Sequence, residues 1–144
     1  MKIERMVVGV DGSPNSLTAL EWAVDFAEAV GAEVVAVHAL GLLEHLDEGM
    51  PVPTQGHRDE AVERFEHTWC APLDRSTVPS RRVTRDGNAV AVLLAVAEEV
   101  GADLAVVGRR GIGDHPDLLL GSTSTQVAQR AHQPVVVVPT EAST

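Results

Sequence analysis

Apolar residues follow two rhythms along this chain: short unbroken runs, and longer stretches where they recur every three or four positions. The first run, Met6–Val10, ends in Asp11-Gly12-Ser13-Pro14. Ser followed by Pro opens a helix, because the hydroxyl caps the first turn and the ring fixes φ at the first helical position. Leu17, Leu20, Val24 and Ala27 then recur at helical spacing, with Glu21, Asp25 and Glu28 on other faces and Gly31 as the stop. Glu33–Ala39 is the second run and reads as a strand. Residues 41–56 read as a loop, since Pro51 and Pro53 oppose regular structure there. Val62, Phe65 and Trp69 mark a second helix, and Pro72 and Pro79 bound the next connection. Arg81–Arg85 is a weak, polar third strand suited to a sheet edge. A third helix carries Val90, Leu93, Leu94, Ala97 and Val100 on one face and stops at Gly101, before a fourth strand at Asp103–Val107. A fourth helix begins near Gly121, with Val127, Ala128 and Ala131 on its apolar face. Val135–Val138 is a fifth strand closed by Pro139, and residues 139–144 read as a frayed tail.

The order is β-α-β-α-β-α-β-α-β. Strict alternation of short apolar strands with amphipathic helices predicts an α/β fold, with a parallel sheet covered by helices on both faces. The pattern leaves room for one domain over residues 1–144. Val30-Gly31-Ala32-Glu33 and Val100-Gly101-Ala102-Asp103 echo each other, each joining a helix to a strand, and read as repeated turn chemistry.

Composition sharpens this picture. Hydrophobic residues make up 44% of the 144 positions, but aromatics only 3%, with no Tyr. The core must therefore come from Val, Leu, Ile and Ala, as in a buried parallel sheet. The formal net charge of −10 argues against nucleic acid as a partner, since the phosphate backbone would be repelled over most of the surface. A small anion remains compatible where backbone N–H groups supply local positive potential. The one cysteine, Cys70, allows no internal disulfide and suits a reducing compartment. No apolar run approaches the roughly 18 residues of a membrane span, and no targeting segment is evident, so the expected location is the cytoplasm.

Ligands of open α/β sheets bind beyond the carboxyl ends of strands, where the strand order reverses. Two strands here end in unusual residues: the first in Gly9-Val10-Asp11-Gly12-Ser13, the fourth in Gly108-Arg109-Arg110-Gly111, followed by a loop and Gly121-Ser122-Thr123-Ser124. Gly108 lets the backbone turn sharply and a ligand approach closely. Gly121-Ser122 opens a helix, where exposed N–H groups and the dipole favour phosphate, and the hydroxyls of Ser122, Thr123 and Ser124 add donors. Taken singly, each glycine also serves as a turn residue, Ser122 as a cap, and Asp11 as the cap of its own turn. His38 reads as a structural strand-end residue, and His45, His57 and His67 lack metal spacing.

Gly108-x2-Gly111-x9-Gly121-Ser122 resembles the G-x2-G-x9-G-[S/T] motif of ATP-binding universal stress proteins. The resemblance extends through Val8–Ser13, His38, Asp103–Gly108, Leu118–Ser122 and Pro134–Pro139, whereas residues 41–80 are not diagnostic. It implies a five-stranded sheet of order 3-2-1-4-5. It also implies an adenine nucleotide, ATP with AMP or ADP as alternatives, held against Val10, Asp11 and Ala39 at the base and sugar. Gly108, Arg110 and Gly111 would line the ribose-phosphate side, and Gly121, Ser122 and Thr123 the phosphates. It further implies a homodimer paired through Val135–Val138.

Asp114 and Asp117 lie between the motif glycines, where relatives carry neutral, small or basic residues more freely. Two carboxylates there would either repel a triphosphate or share Mg²⁺ with it. No positioned nucleophile, base or P-loop lysine is evident, so a regulatory nucleotide-binding role in stress response is expected, with slow hydrolysis at most. The alternatives are a Mg-dependent nucleotide hydrolase using Asp114 and Asp117, and a nucleotide-free interaction protein of the same family.

Overall fold

A computed structural model describes residues 1–41, 55–110 and 120–140. The elements are β1 (Arg5–Gly9), α1 (Pro14–Val30), β2 (Glu33–Ala39), α2 (Gln55–Glu63), a π-helix (Arg64–Trp69), α3 (Ala71–Asp74), β3 (Ser80–Arg85), α4 (Ala89–Val100), β4 (Leu104–Gly108), α5 (Ser122–Arg130) and β5 (Val135–Val138). All pairings are parallel and the sheet order is β3-β2-β1-β4-β5. Both the parallel sheet and its order match expectation.

Alternation along the strands divides the core in two. Met6 and Val8, Val34 and Ala36, and Leu104 and Val106 face α1, the π-helix and α3. Val7, Val35 and Val37, with Ala105 and Val107, face α4 and α5. Each such Val or Leu taken out of water contributes about 1.5–3 kcal/mol, so the strands hold because both of their faces are covered.

Local signals set the ends. Ser13 caps α1 by accepting from the Ser16 N–H, and Asn88 caps α4 by accepting from Val90 and Ala91. Gly31 and Gly101 end these helices at φ 75° and 65°, a left-handed conformation that glycine adopts without strain. The echo between the two turns is also structural. Ala32 and Ala102 each donate back to the helix, to Ala27 and Ala97, and Glu33 and Asp103 then bond the backbone of Glu4 and Arg5. The same turn thus delivers β2 and β4 to opposite sides of β1.

The second helix departs from expectation. Phe65 and Trp69 lie in a π-helix, marked by the five-residue bond from the Cys70 N–H to the Phe65 carbonyl at 3.0 Å. Helix α2 begins at Gln55, inside the stretch read as loop; the rest of that loop, 42–54, lies outside the described residues. Cys70 is fully buried, and burial pushes its thiol up to about 11, so it is an inert core residue. Thr140, within the expected tail, hydrogen-bonds Asn15 on α1.

The two sheet edges differ. At β3, Arg81 pairs with Glu33 and Arg82 with Asp74, at 2.9 and 2.6 Å. At β5 four successive valines form the strand, three of them only partly covered. Charges guard the first edge against another strand, and nothing comparable lies within the second.

Candidate functional site

Strand order reverses between β1 and β4, and a cleft opens where these strands end. It encloses about 550 Å³, open mouth included. Val10, Asp11, Ala39, Gly108, Arg110 and Thr123 line it together, although they come from three strand ends and a helix start. Leu93, Val107 and Val37 supply an apolar wall suited to the face of a flat ring. Gly111 and the acidic pair Asp114 and Asp117 lie outside the described residues. Among the described residues no group of three or more His, Cys, Asp or Glu side chains comes together to hold a metal.

The segment after β1 is fixed on every side. The Val10 N–H donates to Val37 at 2.8 Å, and the Asp11 N–H to the Ser16 hydroxyl at 3.2 Å. Asp11 Oδ1 accepts from the Ser13 N–H at 2.8 Å, so this carboxylate caps its own turn as well as lining the cleft. Gly12 sits at φ 84°, and a Cβ there would lie 2.5 Å from the Trp69 ring, so only glycine fits.

Gly108 has a reason that sequence reading missed. A Cβ at this position would meet the Asn15 backbone at 2.7 Å. Its bareness therefore lets the first turn of α1 pack against the end of β4, a structural demand that holds with or without a ligand.

Helix α5 starts differently from α1 and α4. Gly121, its capping residue, has extended backbone and offers no side-chain acceptor. The Gly121 N–H donates to Arg109 at 2.7 Å, and the Ser124 hydroxyl reaches the same carbonyl at 2.8 Å, which ties the helix start to the end of β4. Ser124 is thus committed to carbonyls and is not the extra donor expected for a ligand. Ser122 is exposed, lies outside the cleft lining and accepts from Gln126 at 3.0 Å, while Thr123 faces the cleft. A helix start exposes one side to a ligand, and which side depends on a rotation that sequence spacing does not give.

His38 lines the cleft and is 9% exposed. Its Nδ1 lies 2.7 Å from the Val10 carbonyl, and a carbonyl only accepts, so Nδ1 carries the proton. Burial pushes the imidazole below its usual value, opposed in part by the Val10 carbonyl and the charge of Asp11.

A family model for the universal stress protein family matches residues 2–139. The chain belongs to that family. A universal stress protein of Mycobacterium tuberculosis is 34% identical over 137 residues, 92% of this chain and 43% of that protein. Another, from Mycolicibacterium smegmatis, is 33% identical over 136 residues, 92% of this chain and 45% of its own length. The chain spans about half the length of the curated relatives it matches. A universal stress protein solved in complex with cAMP superposes with a TM-score of 0.70 at 28% identity, over 98% of this chain and all of that one. One from Archaeoglobus fulgidus, solved with dAMP, has a TM-score of 0.70 at 22% identity, over 96% of this chain and 99% of that one, and shows the shared fold. No helix among the described residues is long and apolar enough to cross a membrane.

Proposed function

We propose that this chain is a cytoplasmic adenine-nucleotide receptor with a regulatory role in stress response, and that ATP is its ligand, with ADP or AMP as the shorter alternatives. The observation that carries this reading is the start of α5. Its N–H groups receive no acceptor from the glycine cap, and Thr123 and Arg110 stand beside it in one cleft with Asp11. Backbone N–H groups at a helix start and the positive end of the helix dipole attract a phosphate. The apolar wall of Leu93 and Val107 takes the base, with Asp11 and Ala39 selecting base and sugar. Gly111 would extend the phosphate cradle, and Mg²⁺ would accompany a triphosphate if Asp114 and Asp117 face it. The cAMP complex of the 28% identical neighbour supports an adenine ligand in this fold.

The same chain would form a single domain that pairs through its valine edge, Val135–Val138, into a homodimer. An apolar edge strand without guarding charges favours pairing with its own copy about a two-fold axis.

Native mass spectrometry of freshly purified protein reads both proposals at once. The expected species is a dimer carrying an adenine nucleotide on each chain, and Val136→Lys should return it to monomer. A chain that neither retains a nucleotide nor takes up added ATP, ADP or AMP would overturn the receptor reading. A monomer at every concentration would overturn the pairing.

A further inference from the structure

Val10 and Asp11 border the base side of the cleft, yet β1 ends at Gly9. The Val10 N–H keeps to the β2 ladder through the Val37 carbonyl. The Val10 carbonyl has moved off that ladder and is met by a side chain instead, His38 Nδ1 at 2.7 Å. The peptide joining Val10 to Asp11 is therefore held at both ends, by the imidazole at its oxygen and by the Ser16 hydroxyl at its nitrogen.

The imidazole is itself fixed. Residues 37 and 39 face α4, so alternation turns residue 38 toward the π-helix. There Phe65 stacks on the ring at 5.5 Å between centroids, and Trp69 meets it edge-on at 5.1 Å. Phe65 and Trp69 belong to the π-helix, whose wider turn sets these two rings around the imidazole. Trp69 also lies against Gly12, the residue after Asp11. One aromatic cluster thus reaches the loop twice, once through the His38 hydrogen bond and once through the Trp69 ring.

We infer that His38 is a positioning residue: its Nδ1–H holds the Val10–Asp11 peptide in the orientation that binds the base and sugar of the nucleotide. This rests on the adenine-nucleotide reading above. The ring does not touch the phosphates and plays no chemical part. It removes conformational freedom from the loop before the ligand arrives, which would otherwise weaken binding. The arrangement needs a proton on Nδ1, and burial among Phe65 and Trp69 favours the neutral ring, whose single proton the Val10 carbonyl holds there.

Two substitutions separate the hydrogen bond from the packing. His38→Phe keeps a ring between Phe65 and Trp69 and removes the donor. His38→Asn keeps a donor at the position of Nδ1 and removes the ring. With ATP as the probe in titration calorimetry, His38→Phe should bind about tenfold more weakly, or about 1.4 kcal/mol, and His38→Asn within about threefold of the parent. Thermal midpoints should run the other way, with His38→Asn the less stable of the two. In ligand-free protein the Asp11 and Gly12 amides should exchange faster in His38→Phe than in either the parent or His38→Asn.

Affinity that follows thermal stability across the two variants, or a His38→Phe protein that binds like the parent, overturns the inference. Equal amide exchange in all three proteins also overturns it. If the parent itself binds no adenine nucleotide, the receptor reading fails, and the exchange comparison alone decides whether His38 holds the loop.

Discussion

Helices α1 and α5 both begin beside the cleft, at the carboxyl ends of adjacent strands, and they differ in the residue that caps the first turn. Helix α1 is closed by its own residues. Pro14 has no N–H to offer, the Ser13 hydroxyl accepts from Ser16, and the Ser16 hydroxyl answers by donating to the Ser13 carbonyl at 3.1 Å. Helix α5 starts on a glycine with no side chain to turn inward. The Gly121 N–H and the Ser124 hydroxyl tie it to the Arg109 carbonyl, and the Ser124 hydroxyl also donates to the Gly121 carbonyl at 3.1 Å, as Ser16 does to Ser13 in α1. Two helix ends with the same dipole thus differ in their caps: the capping residue of α1 brings a side-chain acceptor, and that of α5 brings none. In the receptor proposed above, the choice of Ser-Pro or Gly-Ser at the cap sets which helix start takes the phosphate.

Giving α5 the kind of end that α1 has should break this difference. Gly121 has φ −77° and ψ 174°, a backbone open to any residue, so Gly121→Asp introduces no torsional strain. Its carboxylate would occupy the first-turn N–H groups and repel phosphate. We expect ATP affinity to fall about 100-fold or more, equivalent to about 2.7 kcal/mol, while circular dichroism shows a folded chain. Affinity unchanged in calorimetry would remove α5 from the site.

Taking the cap from α1 should have a smaller effect, on a different quantity. Ser13→Ala should cost about 1 kcal/mol of stability, a drop in thermal midpoint of about 3 °C for a chain of this size. ATP affinity should stay within about threefold, because the α1 donors do not serve the ligand. A loss of affinity as large as that of Gly121→Asp would mean that both helix ends hold phosphate, and the contrast between them would not stand.

Much of the fold was legible in the sequence because two periods separate cleanly. Unbroken runs such as Met6–Val10 have room only in a strand covered on both faces, and Ser13-Pro14, Gly31 and Gly101 mark helix ends by local sterics alone. The polar Arg81–Arg85 run identified its own place at an edge. The π-helix was hidden because Phe65 and Trp69 are four apart, a spacing that an α-helical face shares. Among the residues lining the cleft, the strand-end rule and the glycine spacing brought out Asp11 and Gly108, while Gly121 lies outside that lining. What they left out depends on three-dimensional approach. Gly108 is bare because Asn15 packs against it, Ser124 is bound to Arg109, and the side chain facing the cleft is that of Thr123 rather than Ser122. His38 was read as a strand-end structural residue, and its bond to Val10 links two strands 28 positions apart in the chain, which no local pattern encodes.

In the receptor proposed above, phosphate binds at the glycine-capped start of α5. The direct measurement is the affinity of adenosine, AMP and ATP for the parent protein and for Gly121→Asp, by calorimetry at one salt and Mg²⁺ concentration. In the parent, AMP and ATP should bind at least about tenfold more tightly than adenosine. In Gly121→Asp that gain should vanish while adenosine binding stays nearly the same. Adenosine binding as well as ATP in the parent, or a phosphate gain that survives the substitution, would contradict it.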